Sequence, residues 1–238
     1  MSFLPLAAGV VSALFALFIL QQFVRKRRPY QLVWVLALLM FAVASFAAAR
    51  GIMEGWSPGL FRIYYLFGAI VNVPVLGLGT IYLLAPRTIA HVVAVLIGIA
   101  CIYAGGAVFS AEINQAPLIA AGRIPPAAKV MPDAVRTLSR YLSFTGFAVV
   151  LTGALWSAWR LSRKPDEHFR RLTKGNVLIA AGTAVVAIAS SFARRGQGEV
   201  FAVGLLFGIT IMFAGFLTAT RQGALPTPLQ PDDTTPSS

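Results

Sequence analysis

Few residues in this chain can do chemistry, and the most suggestive is an asparagine. Asn72 stands in Asn72-Val73-Pro74, inside an apolar run from Phe61 to Leu84. A carboxamide offers two donors and an acceptor oxygen. Within hydrocarbon such a group must be paired or face a cavity. Pro74 lacks an N–H, so a helix through it frees a carbonyl upstream. The pair reads either as a polar break that binds a ligand or ion, or as an interhelical hydrogen bond at a proline kink, worth about 1 kcal/mol. Tyr64 and Tyr65 precede it in the same run, and Tyr103 sits in the next. Their hydroxyls line an outward-facing cavity on one reading and form an interfacial belt on the other. Arg62, with Glu54 or Glu112, makes an ion pair or a solvated flank.

Other chemistry is excluded by what the sequence lacks. His91 and His168 stand singly near different boundaries, too little for zinc or haem. Cys101 is the one cysteine, so neither an intrachain disulfide nor a cysteine metal cluster can form. No phosphate-binding glycine loop, His-Glu-x-x-His or Gly-x-Ser-x-Gly occurs. The last apolar run, Val200–Thr220, holds no lysine for a retinal Schiff base. No enzyme activity, cofactor or metal is therefore expected. Asn176 reads as a helix cap, and Met212 as core filling.

The elements that must position these residues follow from composition. Of 238 residues 58% are hydrophobic and 12% charged, against roughly 25% charged in a soluble domain. Apolar runs recur near the ~20 residues that span hydrocarbon as a helix. They predict an all-α, polytopic membrane protein with seven transmembrane helices at about 4–24, 32–49, 61–84, 89–109, 135–159, 176–193 and 200–220. The first run has no basic residue before it, so it reads as a retained helix rather than a signal peptide. Residues 110–135 are too polar and proline-broken to span; a short amphipathic piece at the interface is expected there. The transmembrane domain covers 1–220, and the proline-rich 221–238 is expected to be a disordered cytoplasmic tail.

The net charge of +12 sits in short connections between apolar runs. That is the mark of a cytoplasmic face meeting anionic lipid, not of nucleic-acid binding. With the N-terminus outside, twelve Lys and Arg fall inside and eight outside. Two dense clusters, Arg25–Arg28 and Arg160–Lys174, both fall inside. The expected location is the cell inner (plasma) membrane, multi-pass, with the C-terminus in the cytoplasm. The expected partners are the bilayer, with anionic lipid at the inner face, and a second copy or another membrane protein.

The first and last three helices echo each other. Phe61, Leu66, Phe67 and Gly68 recur as Phe201, Leu206, Phe207 and Gly208. Ser45-Phe46 with Arg50-Gly51 recurs, at a slightly larger offset, as Ser191-Phe192 with Arg195-Gly196. A parallel repeat of two triplets joined by an inverting fourth helix accounts for this; so does chance in a chain rich in Leu, Phe and Gly. Gly204 and Gly208 have the spacing that lets helices pack closely. The three-one-three arrangement resembles the sugar-transporting SWEET family, and Asn72 is similar to that fold's midplane asparagine. The equivalent in the last helix is Met212, not Asn, and of that family's prolines only Pro74 is well placed. The stretch Arg62–Pro74 with Gly77–Arg87 resembles multi-pass membrane proteins of unassigned function from high-GC Gram-positive bacteria. The function expected is transport or conduction of a small solute through the repeat. The alternative is a non-catalytic membrane scaffold or partner-binding subunit.

Overall fold

A computed structural model describes residues 3–121, 123–164, 166–194 and 197–220. The expected tail, 221–238, lies outside them, as does Arg195. Among the described residues, seven helices are long and apolar enough to cross a membrane. They are α1 (Phe3–Lys26), α2 (Pro29–Glu54), a third span that joins α3 (Pro58–Tyr65) to α4 (Asn72–Leu84), α5 (Arg87–Ser110), α8 (Asp133–Ser162), α9 (Glu167–Arg194) and α10 (Gly198–Thr220). Two short helices, α6 (Gln115–Ile119) and α7 (Ala127–Val130), lie between α5 and α8. Large apolar side chains face outward all round, among them Leu17, Leu36, Ile102, Phe144, Ile188 and Phe207. Water would not tolerate such a surface and hydrocarbon does. The chain is an integral, all-helical membrane protein.

Several helices outrun their apolar cores. Pro29 does not merely block α1; it takes the first turn of α2, where its missing N–H costs nothing. The reversal between them takes two residues and puts Arg27 at φ 48°. The sixth span begins at Glu167, not Asn176. Its first turns are charged residues that form helix readily where water can solvate them, and Arg171 pairs with Glu167 at 2.6 Å. Asn176 is therefore no cap. It lies inside α9, donating from Nδ2 to the Leu172 carbonyl at 3.0 Å.

Six spans close into a ring. α1 packs on α2, α2 on the third span, α4 on α8, α8 on α9, α9 on α10, and α10 on α1. The fourth span, α5, stands outside, with only 11% of its apolar window buried. This neighbour order maps onto itself when the first triplet is exchanged for the last. Small residues set the close crossings. On α9 and α10, Gly182 and Gly208 meet backbone to backbone, as do Gly175 and Gly215, while Gly204 sits against Ala189.

The third span is broken in the middle. Pro74 cannot donate to Ile70, and residues Leu66–Val71 widen into a π-helical turn. The Ala69 carbonyl, aimed out of the helix, accepts from Ser139 Oγ at 2.8 Å and Ser143 Oγ at 2.6 Å, one turn apart on α8. Just beyond, α4 and α8 touch. A Cβ on Gly146 would stand 2.6 Å from the Val73 carbonyl carbon and 2.7 Å from the Pro74 nitrogen.

Candidate functional site: an axial cavity

The segment between α5 and α8 packs on one end of the bundle, against α2, the first half of the third span, α5 and the start of α8, with Ile124 beside Gly198 of α10. Leu118 of α6 and Val130 of α7 are buried among Trp56, Phe61, Ile70 and Val108. Trp56 Nε1 donates to the Arg123 carbonyl at 3.1 Å, and Asn114 N to the Val130 carbonyl at 3.2 Å. Arg62 does not pair with Glu54 or Glu112. It donates to the carbonyls of Val108 and Ala111, at 3.2 and 2.9 Å, where the end of α5 presents unsatisfied acceptors and a partial negative charge. Glu54 pairs with Arg50 instead, at 2.8 Å.

A cavity lies on the ring axis toward the other end, the end of the basic clusters. All six ring spans line it: Phe15 and Ile19, Trp34 and Leu38, Leu76 and Thr80, Val150, Ala154 and Ser157, Asn176 and Ile179, Met212 and Phe216. About 50 Å³ is open to the centre of a water-sized sphere. The walls are apolar apart from Thr80, Ser157 and Asn176. Lining positions correspond between the triplets. Phe15 and Ile19 match Val150 and Ala154, each 135 positions later; Trp34 matches Ile179 after 145, and Leu76 matches Phe216 after 140. The last is the offset of the sequence echo between the third and seventh spans, so the cavity straddles the axis that would relate the two triplets.

Asn72 lies one turn beyond the cavity floor. Positions 72, 76, 80 and 83 share one face of α4, and the last three line the cavity. Asn72 is buried, and its Oδ1 accepts no hydrogen bond. It makes no interhelical bond at the kink; the two serines of α8 serve the carbonyl there. Pro74 faces the α8 crossing, not the axis. The tyrosines are dispersed. Tyr64 packs against Trp56, centroids 5.4 Å apart, and Tyr65 stacks on Phe61 at 5.8 Å, both in the cluster that holds Leu118 and Val130. Tyr103 is exposed on the outer side of α5. None of the three lines the axial cavity. Met212 does, opposite Asn72's helix.

Sequence reasoning missed the glutamines. Gln31 is 2% exposed on α2, one turn before Trp34, and does not itself line the cavity. Its Nε2 donates to Gln22 Oε1 at 3.3 Å, and its own Oε1 has no partner. By the offsets above, Gln22 and Gln31 correspond to Ser157 and Asn176. Ser157 and Asn176 line the cavity, whereas Gln22 and Gln31 are paired with each other beside it. The available signal was an amide just inside each apolar run next to a basic cluster. No protein-family model, curated protein or solved structure matches the chain.

Proposed function

We propose that this protein moves a small solute across the membrane by alternating access, and that the axial cavity is its site in an inward-facing state. The observation that carries this reading is the asymmetry of the ring. The six ring spans meet at one apolar cavity nearer the basic end, and a folded segment packs on the opposite end of the bundle. A packed scaffold has no need of an axial cavity, nor of a buried carboxamide without a partner beneath it. In this reading the N-terminus is outside, Arg25–Arg28 and the α8–α9 connection face the cytoplasm, and anionic lipid meets the basic rim. In the same reading the π-turn beside the crossing at Gly146 is the pivot of the third span, about which its two halves move.

One observation favours the second reading, a subunit that binds another membrane protein. The α5 helix buries little, and Gly98, Gly105 and Gly106 meet nothing within 4 Å. Flux decides between them. In proteoliposomes, glycerol, acetamide and glucose are tested for entry above protein-free vesicles. Alkylating Ser157→Cys with a bulky reagent, in a Cys101→Ser background, stops the flux if the cavity is the path. No flux of any of them above protein-free vesicles defeats the transport reading.

A further inference from the structure

We infer that the end of α8 and its connection to α9 form a site for the phosphate of an anionic phospholipid, held by Arg163 and Lys164. This rests on the basic face meeting lipid, and not on transport.

Depth comes first. Gly153 of α8 lies against Thr80 and Leu84 of α4, where a Cβ would stand 3.1 Å from Leu84 Cδ1. Leu84 is the last residue of α4, so the third span ends at that level. Trp156 and Trp159 follow on α8, about 5 and 9 Å farther along at 1.5 Å per residue. Their rings lie 5.1 Å apart and the residues are 56% and 47% exposed. On the returning helix, Gly175 meets Gly215 and Ala219 near the end of α10. Phe169 stands about 9 Å beyond that crossing. Exposed indoles just past the ends of apolar spans mark the headgroup layer.

Two cations are posed in that layer on aromatic faces. The Arg163 guanidinium carbon lies 3.8 Å from the Trp159 ring centroid, and Lys164 Nζ lies 4.2 Å from that of Phe169. Neither makes an ion pair among the described residues. A stacked guanidinium keeps its edge N–H groups free, in a fork that matches two phosphate oxygens. The adjacent ammonium adds a point charge. From Arg160 to Lys174 there are six cations against Asp166 and Glu167, and Glu167 is already held by Arg171. Stacking orders both side chains before a ligand arrives, so less freedom is lost on binding.

The same contacts choose among headgroups. The face of Trp159 that carries Arg163 is closed to choline, whose ammonium therefore loses its ring partner there and meets two like charges. Phosphatidylcholine brings that ammonium with its phosphate. Phosphatidylglycerol brings the phosphate alone. One cation near a membrane surface favours anionic lipid by about fivefold.

Brominated acyl chains quench an indole on contact. Trp156 and Trp159 report the lipid beside them, since Trp56 is buried and Trp34 half-buried. The full chain is reconstituted in mixtures of phosphatidylcholine and phosphatidylglycerol, with bromine on one lipid or the other. Phosphatidylglycerol should occupy the site about fivefold more readily than its mole fraction requires. Arg163→Gln with Lys164→Gln should bring this to parity. Both residues are exposed, so that variant should fold. Arg25→Gln with Lys26→Gln, at the α1–α2 reversal, should leave the preference standing. Equal quenching by the two lipids overturns the proposal, as does a preference that survives Arg163→Gln with Lys164→Gln. A preference lost equally in the Arg25 and Lys26 variant would be diffuse attraction, and overturns the site. Its removal by millimolar glycerol 3-phosphate would make a soluble phosphate ester the occupant, and overturns the lipid. No preference in a protein that passes solute would remove this site and leave transport standing. Preference without flux would do the reverse.

Discussion

Replacing Asn72 by leucine should make the protein more stable and inactive together. Most substitutions of a buried residue destabilise, because a partner is lost. Asn72 has no protein partner to lose: it is 7% exposed, and its oxygen accepts nothing. An amide buried unpaired costs about 1–3 kcal/mol. Leucine keeps the branched outline at Cγ and removes that cost. The cavity one turn away, about 50 Å³, absorbs the difference in shape. For a chain of this length 1 kcal/mol moves the melting temperature by about 2–4 °C. The expected shift is upward, on the order of 5 °C, followed by intrinsic tryptophan fluorescence in detergent. Solute flux measured on the same preparation should be lost. A fall in melting temperature of similar size would refute the reasoning, since it would mean that the carboxamide joins helices. A stable variant with unchanged flux would take Asn72 out of the solute path.

The remaining expectations use other parts of the fold. Gly146→Ala should lower stability by about 3 kcal/mol or abolish expression, because its methyl would meet the Val73–Pro74 backbone rather than a side chain that can move. Ser139→Ala and Ser143→Ala should each cost little, about 0.5 kcal/mol, because the other hydroxyl still serves the Ala69 carbonyl. The double variant should cost more than their sum, about 1–2 kcal/mol, and additivity in thermal melts would refute the shared acceptor. In a Cys101→Ser background, an impermeant thiol reagent on intact cells should label Gln197→Cys and miss Ser162→Cys until the membrane is opened. The opposite pattern would invert the topology.

How much of this was legible beforehand depends on what each feature requires. The number of spans and the basic face follow from local sequence. A run long enough to cross hydrocarbon, or four cations in a row at Arg25–Arg28, is recognisable without knowing any neighbour. Pro74 likewise announces a break in the third span, because a missing N–H is a property of one residue. The ends were misjudged where charged residues continue a helix beyond the apolar core, which turned Asn176 from a cap into part of the cavity wall.

Which residues face the axis was not legible, and the physical reason is the solvent. In water, a helix shows its buried face as an apolar stripe; in lipid both faces are apolar, so the stripe vanishes. Tyr64, Tyr65 and Tyr103 looked alike in sequence, yet two pack with Trp56 and Phe61 and one faces outward. Gln31, two residues beyond Pro29, drew no reading from the sequence, and its burial is seen only once α1 and α2 are packed. Ser139 and Ser143 gained their role only when α8 crossed α4 beside the freed carbonyl, an encounter between residues 70 or more positions apart. Composition and charge determined that this chain crosses the membrane and where its cations gather. Azimuth and crossing determined the cavity and which amides are buried without a partner, because those depend on contacts between helices far apart in sequence.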